Sequence, residues 1–112
     1  MLYKLVKITD LQGVDKTDEE VVNRIGRILY LDIGDIKLDR RLFMECTNPG
    51  YTKSILTSFV KNVTQADDGL IITTEHSIYF LVEKEIADWY EEQEYQMNVE
   101  MASHFDINGD PI

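Results

Sequence analysis

The sequence predicts an α+β protein that is mainly antiparallel β: a small five-stranded barrel or roll, with a short helix inserted near its N-terminal end and an acidic helix toward its C-terminal end. Three observations carry this. Short runs of β-branched, aromatic and aliphatic residues recur through residues 1–82. Clusters of Gly, Pro, Asn and Asp separate them. The apolar spacing turns helical for a long stretch only from Glu85 onward. A chain of 112 residues suits one domain, large enough for a single core and too small for two. With 44% apolar and 29% charged residues, its composition excludes the charge-dominated signature of disorder.

Residues 2–9 alternate loosely, Leu2, Lys4 and Val6 against Tyr3, Leu5 and Lys7, which predicts the first strand; Asp10-Leu11-Gln12-Gly13 predicts its exit turn. Thr17-Asp18-Glu19-Glu20 fits a capping box, in which the Thr17 hydroxyl accepts from the Glu20 amide while Glu20 reaches back. Val21, Val22 and Ile25 supply the apolar stripe of a short helix over 17–25, ending near Gly26. Ile28 to Ile33, bounded by Gly26 and Gly34-Asp35, reads as the next strand. Within 36–46 the charges of Lys37, Asp39, Arg40 and Arg41 interrupt the pattern, and only Leu42 to Cys46 is strand-like. Asn48-Pro49-Gly50 predicts a turn, because Pro fixes φ and Gly permits positive φ.

Residues 54–63 alternate Ile55, Thr57 and Phe59 against Leu56, Ser58 and Val60, and 65–69 close that strand. Residues 70–74 and 77–82 flank Glu75-His76 as a tight hairpin, without the Gly or Asn usual in so short a turn. Short strands at this spacing point to an SH3-like barrel over 1–82. Residues 83–112 then form the helix and frayed tail of the same domain. In the helix, Ile86, Trp89, Tyr90, Gln93, Met97 and Met101 follow one face and most carboxylates lie off it.

The net charge of −10 is unevenly spread. From residue 83 onward nine acids stand against Lys84 alone, whereas residues 1–82 are nearly balanced. This disfavours direct binding to nucleic acid or anionic lipid, which need clustered Lys and Arg, and predicts a protein partner with a basic surface. The apolar runs are far shorter than the roughly 20 residues that span a bilayer, the opening residues read as strand instead of signal peptide, and Cys46 has no second cysteine to pair with. The expected compartment is the cytoplasm.

Chemistry-bearing patterns are sparse. Cys46 with His76 or His104 is the only nucleophile–base combination of thiol and imidazole, and a buried thiol with a solvated histidine is the simpler reading. One Cys and two distant His offer no metal-ligand spacing, and Asp106-Ile107-Asn108-Gly109-Asp110 places its glycine wrongly for a calcium loop. The glycines are scattered singly, so no loop cradles phosphate, and the adjacent Glu91 and Glu92 lie in a hydrophilic helix that offers no secluded site for general acid catalysis. No cofactor is expected, and no catalytic residue is assigned.

The candidate surface is therefore the acidic helix: Glu85, Asp88, Trp89, Tyr90, Glu91, Glu92, Glu94 and Tyr95. In the simpler reading this helix docks Trp89 and Tyr90 on the barrel and covers an open edge strand. In the sharper one, six acids between Glu83 and Glu94 supply about half the linear charge density of duplex DNA and imitate a nucleic-acid backbone. Self-association, through uncovered barrel edges or Met97 and Met101, is a further alternative.

Gly26-Arg27-Ile28, then Ile55-Leu56-Thr57-Ser58-Phe59-Val60, then the run from Ile71 to Leu81, resemble small barrel proteins of bacteriophages and mobile elements in Gram-positive bacteria. The resemblance covers residues 24–82 and does not reach the acidic helix. It implies an accessory role as a non-enzymatic interaction module, and it admits an inhibitor of a host nucleic-acid enzyme of the anti-CRISPR or anti-restriction type. It carries over no catalytic residue.

Overall fold

The computed structural model describes residues 1–47, 53–89 and 91–92. In chain order they form β1 (Leu2–Thr9), α1 (Glu19–Val22), β2 (Ile28–Tyr30), β3 (Arg41–Cys46), β4 (Ile55–Ala66), β5 (Gly69–Thr74) and β6 (Ile78–Glu83), with one turn of 3-10 helix at Ile33–Asp35 between β2 and β3. Each strand pairs antiparallel with the next, and β6 pairs back onto β1, from Tyr3 opposite Glu83 to Thr9 opposite Ile78, so the sheet closes into a barrel. The described strands number six, not five. The segment whose charges break the sequence pattern supplies a full strand, because Lys37, Asp39 and Arg40 precede it. From Arg41 on, β3 pairs with both β2 and β4. Asp39 takes a left-handed φ of 59°, which a short polar side chain tolerates, and turns the chain into β3.

The core is the barrel interior, filled from every strand: Leu5 and Ile8 from β1, Leu29 from β2, Met44 from β3, Ile55 and Val60 from β4, Ile72 from β5 and Leu81 from β6 are all almost fully buried. Strict alternation would not place them all inside. β1 carries an extra residue, Val6, between Leu5 opposite Leu81 and Lys7 opposite Phe80, and this bulge brings Ile8 inward after Leu5. β4 does the same. Between the pairs Phe43–Leu56 and Arg41–Phe59 it spends three steps against two on β3, so Ile55 and Thr57 face inward, but Val60, not Phe59, is the next inward residue. The alternation expected for 54–63 thus holds to Thr57 and reverses beyond it.

The long β1–β2 connection is built locally. The Asp10 carboxylate accepts from the amides of Gln12 (2.9 Å) and Val14 (3.0 Å), and Gly13 takes the positive φ of 85° that the turn needs. The short helix forms, but the capping box does not: α1 is a single turn whose N-cap is Asp18, with no side-chain cap bond. Gly26, at φ 97°, returns the chain to the barrel, where its amide donates to the Leu5 carbonyl at 2.7 Å. At the β5–β6 hairpin the missing Gly is replaced by side-chain bonding. The buried Thr74 hydroxyl donates to the Ser77 carbonyl and accepts from the Ser77 amide, holding Glu75 and His76 outside.

Candidate partner-binding surface

Immediately after β6, residues 84–89 are helical, and so are 91–92; this segment is called α2. Glu83 and Glu85 at its start complement the positive end of the helix dipole. Lys84 donates to Asp88 one turn on at 2.6 Å. Lys4, on β1, donates to Glu91 and ties α2 to the barrel wall.

Among the described residues of α2, only the small Ala87 is buried, and Ile86 is half-buried. Trp89 is 55% exposed, so the expectation that it is the residue buried against the barrel is corrected: Ala87 is the buried one. No open edge strand exists for α2 to cover among the described strands, because β1 and β6 are already paired. Of the candidate residues, Glu85, Asp88, Trp89, Glu91 and Glu92 lie together on α2 and are all exposed, while Tyr90, Glu94 and Tyr95 fall outside the described residues. Barrel closure adds residues that the local sequence pattern does not single out. A cleft of about 430 Å³ lies beside the start of α2, lined by Met1, Leu2, Glu83, Lys84 and Glu85. Nothing in the local sequence joins residue 1 to residue 83; the register of β1 against β6 does.

The remaining chemistry-bearing residues do not converge. Cys46, half-buried, ends β3 with its amide donating to the Ser54 hydroxyl, whereas His76 sits in the β5–β6 turn beside Glu75. Glu75 hydrogen-bonds Phe59, which pairs with Arg41 at the opposite end of β3 from Cys46, five residues or about 16 Å along the strand. His104 lies outside the described residues. Among those described, no three His, Cys, Asp or Glu side chains form a metal-binding group. No described helix is long and apolar enough to cross a membrane. Neither a protein-family model, nor a curated protein, nor a solved structure matches the chain.

Proposed function

We propose that this protein is a non-enzymatic interaction module of the accessory type found in phages and mobile elements, in which a small SH3-like barrel holds out α2 to a protein with a basic surface in the cytoplasm. The observation that carries the reading is the exposure of Trp89 alongside Glu85, Asp88 and Glu92 on one short helix. An aromatic ring ringed by carboxylates suits a partner offering apolar surface and Lys or Arg together, and interface aromatics contribute disproportionately to binding. The neighbouring cleft adds apolar wall from Met1 and Leu2 beside the carboxylates of Glu83 and Glu85, with Lys84 between them in sequence also in its lining.

The narrower reading, a nucleic-acid mimic that blocks a basic groove, is favoured by the same exposed carboxylates and opposed by the pairing of Asp88 and Glu91 with lysines. Affinity capture from a bacterial lysate with wild-type protein, Trp89→Ala and the double variant E85K/E92K separates the readings. A basic protein retained at low and moderate salt by wild type, and lost with Trp89→Ala, supports the module. Capture that survives Trp89→Ala, disappears with salt and is competed by duplex DNA supports the mimic. Equal capture by all three proteins sinks both.

A further inference from the structure

The outer face of β3 and β4 presents large apolar side chains to solvent: Phe43 is 61% exposed, Leu56 55% and Phe59 42%. The β4 bulge creates this patch, because it turns Phe59 outward to the side already occupied by Leu56. Phe43 and Leu56 face each other directly across the ladder, and Arg41, opposite Phe59, lies 5.7 Å from its ring centre. The exposed row of β3 therefore reads Arg41, Phe43, Glu45, with opposite charges placed symmetrically about the phenylalanine.

That row is complementary to itself in reverse. We infer that this face is the interface of a homodimer, with a two-fold axis lying between two copies and running along the Phe43–Leu56 row. The axis reverses β3 against its copy, so Phe43 and Leu56 meet their own counterparts and each Arg41 meets Glu45 of the second copy, in the reciprocal pattern an isologous interface requires. An axis lying along β3 itself would instead set Arg41 on Arg41 and Glu45 on Glu45, which like-charge repulsion disfavours. Most of the net negative charge follows β6 and not this face. In the closed order β3 is three strands from β6 by either route, so α2 starts from a strand on the far side of the barrel from β3. The proposal is independent of the reading of α2, and if both hold, the dimer presents two copies of that helix.

Sedimentation of the full chain over a range of concentrations tests it. The expected result is a concentration-dependent dimer that Phe43→Glu weakens on the order of 100-fold or more, with unchanged circular dichroism because the side chain points out of the barrel. Charge reversal tests the register. Arg41→Glu and Glu45→Arg each weaken self-association, the double variant R41E/E45R restores it, and the two single variants mixed together form a heterodimer in preference to either homodimer. A wild-type chain still monomeric near 1 mM, where even a weak association of about −4 kcal/mol is half-populated, overturns the proposal and leaves the face to a different protein. So does a dimer that survives Phe43→Glu, or mixed variants with no preference for each other.

Discussion

Glycines at two positions answer to different constraints, and substitution separates them. Gly69 opens β5 so close to β6 that an added Cβ would lie 1.8 Å from the Leu81 carbonyl oxygen, a backbone atom with nowhere to move. Gly69→Ala is expected to destabilise the barrel by about 3 kcal/mol or more. Gly26 has open space around its Cβ position but a left-handed backbone, so Gly26→Ala should cost only about 1–2 kcal/mol. Urea unfolding of the two variants checks the order, and equal losses would refute it. Thr57 is a third sensitive position. Its buried hydroxyl accepts from the Leu42 amide at 3.1 Å, giving that donor a partner where the β4 bulge interrupts the ladder, and itself donates to the Ser58 carbonyl. Thr57→Val keeps the shape and strands the amide, at an expected cost of roughly 1–3 kcal/mol. On the surface, the Met1 ammonium, hydrogen-bonded to Asp32 at 3.1 Å, holds its carboxyl below the ordinary value of 3.8, with the Tyr30 hydroxyl assisting. A lowered folded-state pKa means this contact stabilises above about pH 4 and is lost as pH falls through the lowered value. An NMR titration of the Asp32 carboxyl should therefore give a midpoint below 3.8 that rises when the N-terminus is acetylated; a midpoint at or above that value in the unmodified chain would refute the contact.

Elements were legible in the sequence where a single period governed them and illegible where two strands had to be fitted to each other. The Asp10–Gly13 turn and the Glu75-His76 hairpin follow from turn chemistry and strand spacing, and both form. The second half of β4 could not be read, because its inward face is set by a bulge, and a bulge is decided by the partner strand's register and not by the residues that carry it. The exposed Phe43–Leu56–Phe59 patch was hidden for the same reason. The acidic helix was legible as charge, but its docking was not: local pattern favoured the indole as the anchor, whereas close approach to a closed barrel selects the small Ala87. Ala87→Glu is accordingly expected to undock α2, costing roughly 1–3 kcal/mol. Trp89→Ala, at a position 55% exposed, should cost less than about 1 kcal/mol. Paired unfolding curves decide between the two anchors, and the opposite order would restore the tryptophan to that role.

At the scale of the whole molecule, closure of the barrel and the uneven charge make a joint prediction about what holds the fold together. Among the described residues, the contiguous hydrophobic core draws its buried members from Tyr3 through Leu81, and none comes from α2. Among the described residues, links from α2 back to the barrel include the packing of Ala87 and the Lys4–Glu91 ion pair, and exposed ion pairs contribute little. A chain ending at Glu83 retains the whole β1–β6 ladder and sheds eight acids and one base, which moves its net charge from −10 to −3. It should stay folded, with a dispersed amide NMR spectrum and cooperative unfolding, because every pairing that closes the barrel is still present. It should also be less soluble near neutral pH, since most of the net charge that disfavours non-specific aggregation has gone. Loss of spectral dispersion in the shortened chain would show instead that residues 84–112 contribute to the core, and would recast α2 as a structural strap whose carboxylates are exposed only because its other face is needed inside.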